Sequence, residues 1–322
     1  MEINLLSEAE IATLRENIAN SNRIVICSHK SPDGDALGSS LAWAEYLRTQ
    51  GKEPNIIVPD AYPDFLQWLP GSERIIRYDK HAADKADEML QKATARKIMI
   101  DHHLDPCMDT VLTVSHPQMS STSELVFRLI WQLGGFEEMS RKCAVCIYCG
   151  MMTDTGGFTY NSNQPEIFFI VSQLLTKGFD KDKIYRNVFN NFSPWAIRLR
   201  GYLMSQKLNI FNDLHASYFT ISRRDMRDFH FMKGDAEGLV NEPLKIKGMR
   251  LSVSLREDDR RDNTIWVSLR SVDDFPCNLV ASEFFNGGGH LNASGGRLNC
   301  TLDEAERVVR RAFAHYEDLL TK

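Results

Sequence analysis

The residues best suited to chemistry lie in four short clusters, far apart in the chain. His29, Asp33 and Asp35 fall within H-K-S-P-D-G-D, and Asp101, His102 and His103 are consecutive. Asp154 sits in T-D-T-G-G-F, and residues 287–290 read G-G-G-H. Carboxylates and imidazoles are hard oxygen and nitrogen donors, suited to Mn²⁺, Mg²⁺ or Zn²⁺. Two such ions a few ångströms apart make a water acidic and neutralise a phosphoryl group under attack. Taken singly, each cluster has an ordinary reading. Aspartates two apart are common on solvated turns, and an Asp-His pair is usually a surface contact. Their recurrence at the ends of predicted strands favours chemistry, because open α/β sheets bind ligands there.

The elements that position these residues follow from hydrophobic periodicity. Residues 23–28 are apolar and rich in β-branched side chains, which predicts a strand entering the first cluster. Pro32 and Gly34 make a turn, and Leu37, Leu41, Ala44 and Leu47 then recur at helical spacing. An amino-terminal helix, with Ser7 and Glu10 as a capping box, ends before Arg23. Strands are predicted over 55–58, 74–78, 97–100 and 111–114, and helices over 81–94, 121–133 and 165–175. Residues 182–208 are also helical in pattern. Residues 140–152 carry β-branched residues but are long for a strand, and their alanine and cysteine stripe suits a buried helix. Alternation of this kind predicts a largely parallel sheet covered on both faces.

Composition shifts near residues 209–215, beyond which strands dominate, over 218–222, 250–256 and 264–270. The charged stretch 256–263 reads as a hairpin loop, and a short helix over 278–285 precedes the glycine-rich loop 287–296. A last helix begins at Thr301, paired with Glu304, and runs to about Leu320. The fold class is therefore α/β, with a parallel-sheet domain over 1–208, linking helix included, and a smaller α/β domain over 213–322.

A chain of 322 residues that is 43% hydrophobic and 25% charged is long enough for two cores and has the balance of a soluble protein. Its net charge of −5 argues against tracking the backbone of long nucleic acid, but a short anion in a local pocket stays compatible. The amino terminus has no basic segment followed by an apolar run, and no stretch reaches the length of a membrane span. Seven cysteines suit reduced thiols and a cytoplasmic setting. Cys143, Cys146 and Cys149 have the spacing of an iron–sulfur ligand set, but they form one apolar helical stripe and read as core.

The motifs H-x-x-P-D-G-D-A-x-G-S at 29–39, D-H-H at 101–103, M-x-T-D-T-G-x-F at 151–158 and G-G-G-H at 287–290 span nearly the whole chain. In this order they resemble the DHH phosphoesterase family, in the branch with a carboxyl-terminal DHHA1 domain that includes bifunctional oligoribonucleases and 3′-phosphoadenosine-5′-phosphate phosphatases. The resemblance implies two Mn²⁺ per chain, with Mg²⁺ as the alternative. His29 and Asp33 would hold one ion, and Asp35, His102 and Asp154 the other. Asp101 would support its neighbouring histidine and His103 would face the phosphate, so these two are the implied catalytic positions. Arg270, Gly288, Gly289 and His290 would bind substrate phosphate, although an ordinary exposed arginine is the competing reading at Arg270. The implied partner is a short RNA or small nucleotide, such as a dinucleotide or adenosine 3′,5′-bisphosphate. Long nucleic acid and membrane are not implied, and a homodimer is compatible.

One departure stands out. Members of this branch carry a further aspartate, at the end of an apolar strand before D-H-H, that bridges both metals. Between Asp79 and Thr94 this chain has no such strand, so the bridging ligand is unassigned. Either the strand is truly deleted, which leaves a nucleotide-binding protein with an impaired dimetal site, or the molecule contains residues that these 322 omit. The abrupt junction favours omission. An intact mass exceeding that of 322 residues by roughly 15 to 25 residues, the length of a strand and its connection, is then expected. A mass that agrees with the sequence would establish the deletion.

Overall fold

The computed structural model describes residues 2–78, 92–103, 108–232 and 234–322. The chain forms two compact units, Met1–Asn191 and Phe192–Lys322.

In the first unit, β1 (Val25–Cys27), β2 (Asn55–Val58) and β3 (Ile76–Arg77) form a parallel sheet in that order. A second parallel pair joins β4 (Ile98–Asp101) to β5 (Leu112–Ser115). The alternation predicted one parallel sheet, whereas the described residues show two. β1 and β4 each have a strand partner on one side only among those residues, and Val25 on β1 is 55% exposed, as at a sheet edge. Most of the predicted helix over 81–94, and with it most of the junction where the bridging aspartate was sought, lies outside the described residues.

Among the described residues, the α-helices of this unit are α1 (Glu8–Asn20), α2 (Gly34–Thr49), α3 (Thr122–Gln132), α4 (Arg141–Asp154), α5 (Pro165–Leu175) and α6 (Lys181–Phe189). The Ser7–Glu10 capping box starts α1 as its sequence predicts. α2 is buried around most of its circumference and packs against both α3 and α4. A Cβ on Gly38 would stand 2.6 Å from the Cys146 carbonyl oxygen, so glycine is what lets α2 approach α4 so closely. The ambiguous stretch 140–152 resolves as helix. Cys143, Cys146 and Cys149 are buried in it, and burial pushes the Cys149 thiol up to about 12. They are core thiols, far from the thiolate form a cluster would need.

The second unit is built on a six-stranded sheet of order β10-β11-β9-β8-β7-β6. Its strands are β6 (Asn209–Phe211), β7 (Ala216–Ile221), β8 (Leu251–Glu257), β9 (Ile265–Ser271), β10 (Gly288–His290) and β11 (Ala293–Leu298). Only β7 and β8 pair in parallel. Helices α7 (Pro194–Tyr202), α8 (Arg223–Asp228), α9 (Cys277–Phe284), α10 (Leu302–His315) and α11 (Glu317–Leu320) complete it. Leu251, Val253, Val267 and Leu269 pack with Val280, Val309 and Phe313 into its main core.

Two expectations change here. Residues 182–208 are not one helical span, because Ser193 caps a new helix and Pro194 occupies its first turn. α7 consequently belongs with the second compact unit, Phe192–Lys322. Residues 209–211, where the composition shifts, form the edge strand β6. The glycine-rich stretch is a hairpin, β10 and β11, rather than an open loop. Among the described residues no helix is long and apolar enough to cross a membrane.

Candidate metal centre

The first unit brings three of the expected ligands together. Asp35 is in the first turn of α2, His102 follows β4, and Asp154 ends α4. One ligand atom from each lies within 4.8 Å of the others. His102 Nε2 is 3.2 Å from Asp154 Oδ2 and 3.8 Å from Asp35 Oδ2. Asp35 and His102 are almost fully buried, while Asp154 keeps about a quarter of its side chain exposed. One imidazole nitrogen and two carboxylates facing a common point fit a hard divalent cation. Without a cation, two carboxylates at this distance repel by roughly 3–4 kcal/mol at an effective dielectric near 20.

Each ligand is held by local structure. Asp35 accepts hydrogen bonds from the backbone amides of Thr122 and Ser123, both at 2.8 Å, so its carboxylate sits at the amino terminus of α3. Orphan amides and the helix dipole both stabilise negative charge there. His102 Nδ1 lies 3.3 Å from the Met119 carbonyl oxygen, which leaves Nε2 directed at the carboxylates. A Cβ on Gly150 of α4 would overlap Ser123 Oγ and come within 3.0 Å of Asp35 Oδ1, so only glycine fits behind the ligand.

The remaining residues of the first unit gather around this trio. His29 Nε2 is 3.9 Å from Asp33 Oδ1, and Asp33 caps α2 by accepting from the Ala36 amide at 2.9 Å. His103 Nδ1 lies 2.7 Å from Asp101 Oδ1, which also accepts from the His103 amide. The neighbouring histidine that Asp101 supports is thus His103, while His102 leans on a backbone carbonyl. The bond to Asp101 raises the His103 pKa against the opposing effect of burial. Burial pushes the Asp101 carboxyl up, but the bonds from His103 outweigh it and hold the carboxyl low. The ring of His103 stacks edge-on to His29, with centroids 5.4 Å apart.

In the second unit, His290, Ala293 and Arg270 occupy one cross-strand row over β10, β11 and β9. Residues directly opposite in a ladder share a face, so the His290 and Arg270 side chains lie on the same side of the sheet. Arg270 Nη1 donates to the Leu269 carbonyl oxygen at 2.9 Å. Gly289 has φ of +140°, and a Cβ there would press on the Ala293 carbonyl oxygen at 2.6 Å. Glycine is required by the hairpin itself at this position.

Residues 23–151 match the family described as "DHH family, N-terminal domain". The chain is also 46% identical to a solved exopolyphosphatase-related protein from Bacteroides fragilis, over 99% of both chains, with a TM-score of 0.91. The chain belongs to the DHH family. Among curated relatives of this DHH chain, it is similar to the bifunctional oligoribonuclease and PAP phosphatase NrnA of Bacillus subtilis, at 27% identity over 92% of this chain and 95% of the relative. The protein of the same name from Thermus thermophilus is 29% identical over 89% and 88%.

Sequence reasoning missed the segment Met119–Ser123 and the residues behind it. Its legible signal was Ser121-x-x-Glu124 ahead of an apolar run, a helix-start signature. Replacing Gly150 with Ala is expected to lower stability by about 1–3 kcal/mol and to weaken Mn²⁺ binding through displacement of Asp35. Thermal melting and a Mn²⁺ titration check this, and no change in either would contradict the packing described.

Proposed function

We propose that this chain is a divalent-metal-dependent phosphoesterase that hydrolyses short oligoribonucleotides or dinucleotides, adenosine 3′,5′-bisphosphate, or both. The observation that carries the reading is the convergence of Asp35, His102 and Asp154 from three separate elements onto one point. The activities printed in the names of the NrnA relatives support the choice of substrate class. The second unit is read as the DHHA1 domain.

Asp35, His102 and Asp154 would hold one ion, Mn²⁺ by preference, and His29 with Asp33 a second. Bound divalent cations would supply water acidic enough to attack phosphorus and would offset charge on the nonbridging oxygens. The other roles belong to this chain's own groups. Asp101 fixes the His103 ring and favours its protonated form, which donates a hydrogen bond to an anionic phosphoryl oxygen. Arg270 and His290, on one face of their sheet, would anchor a substrate phosphate, with the backbone of Gly288 and Gly289 beside them.

The alternative, a nucleotide-binding protein with an impaired dimetal site, draws on the smaller donor set at the second position. Only His29 and Asp33 are assigned there among the described residues. Metal counting separates the two readings: two Mn²⁺ per chain supports the enzyme, and one or none supports the binder.

Asp154→Ala is expected to reduce Mn²⁺-dependent release of mononucleotide from a dinucleotide by more than roughly 100-fold, with an unchanged circular dichroism spectrum. Full activity at saturating Mn²⁺ would remove Asp154 from the ligand set. His290→Ala should instead raise KM about tenfold or more, in keeping with a lost charge-assisted contact, and leave kcat within a few-fold. A large fall in kcat at unchanged KM would contradict the anchoring role.

A further inference from the structure

Two of the ligand residues depend on one five-residue segment. Met119 supplies the carbonyl oxygen facing His102 Nδ1, and Thr122 and Ser123 supply the amides that bind Asp35. What fixes that segment lies on its far side. Glu124 Oε2 accepts from both the backbone amide and the hydroxyl of Ser120, at 2.9 and 2.6 Å. Its other oxygen, Oε1, accepts from Arg128 Nε and Nη2 at 2.9 and 2.7 Å. Arg128 Nη1 in turn donates to the Glu2 carbonyl oxygen at 2.7 Å, tying the clamp to the amino-terminal segment. Glu124 is 1% exposed and Arg128 2%.

A buried ion pair is a poor means of gaining stability. Desolvating both charges costs several kcal/mol each, and well-packed apolar residues of similar volume often do as well or better. What the pair supplies here is geometry. The carboxylate grips the Ser120 amide and hydroxyl together, the guanidinium fork holds that carboxylate, and the turn from Met119 to Ser123 is left with one arrangement.

We propose that Glu124 and Arg128 are positioning residues for the metal centre: through Ser120 they set the turn that orients Asp35 and His102. The proposal rests on the reading of Asp35, His102 and Asp154 as metal ligands. Neither residue touches the ion or the substrate in this scheme.

The test is Mn²⁺ affinity, read from the free-ion signal in electron paramagnetic resonance, alongside thermal melting of the metal-free protein. Glu124→Gln keeps the shape and removes the charge. The double variant Glu124→Leu/Arg128→Met removes both charges, so no lone buried charge is left to unfold the protein. In whichever variant folds, Mn²⁺ should bind about 10- to 100-fold more weakly, as when groups orienting a ligand are lost elsewhere. At saturating Mn²⁺ kcat should remain reduced while KM stays within a few-fold. Arg128→Lys, which keeps the charge but loses the fork, should bind Mn²⁺ more weakly than wild type and more tightly than the double variant. Folded variants that bind Mn²⁺ with wild-type affinity would overturn the proposal and leave the ligand reading intact. A wild-type chain that binds no Mn²⁺ would overturn both.

Discussion

The Asp35 carboxylate at the amino terminus of α3 is the interaction on which the rest of the centre depends. Two amide hydrogen bonds of 2.8 Å join the first turn of α2 to the first turn of α3 across nearly ninety residues of chain. A carboxylate has about four acceptor positions, so two amides leave it able to face a cation as well. Moving either helix by an ångström would break the bonds and turn the ligand away from His102. The close packing of α2 on α4 at Gly38 and the absence of a Cβ at Gly150 therefore serve the same end. They bring three helices and the end of β4 to one point.

Asp35 and Asp154 both face His102 Nε2, and the amides of α3 offset the charge of Asp35. A divalent cation held there would offset the negative charge of both carboxylates and the burial of the ligands. Around it the chain separates two kinds of histidine. His102 is turned by a backbone carbonyl toward the carboxylates, whereas His103 is held by Asp101 in a state that favours the proton. Adjacent residues are thus oriented by different neighbours, His102 by a backbone carbonyl and His103 by a carboxylate.

Much of this was legible in the sequence. The strand entering His29, the helix after Asp35, the strand ending at Asp101 and the Ser7–Glu10 capping box follow from periodicity and capping chemistry, which are local. The helix over residues 140–152 needed its buried partner α2 to settle, because its β-branched residues suit a strand while its alanine and cysteine stripe suits a helix. The break before Pro194 was written in Ser193-Pro194, but the helical pattern on both sides concealed it. The glycines of 287–296 suggest a loop, and become a hairpin only through pairing of β11 with β9. Least legible was the turn Met119–Ser123. It acts through backbone amides and a carbonyl, which every residue type but proline carries, so side-chain identity could not announce it.

The central claim is that Asp35, His102 and Asp154 form one cation site. Anomalous diffraction at the manganese edge, from crystals of the full chain soaked in Mn²⁺, tests it most directly. The expected result is a peak bonded to His102 Nε2 and to an oxygen of each carboxylate, at roughly 2.0–2.6 Å. No peak at saturating Mn²⁺, or one that leaves His102 unbonded, would contradict the account.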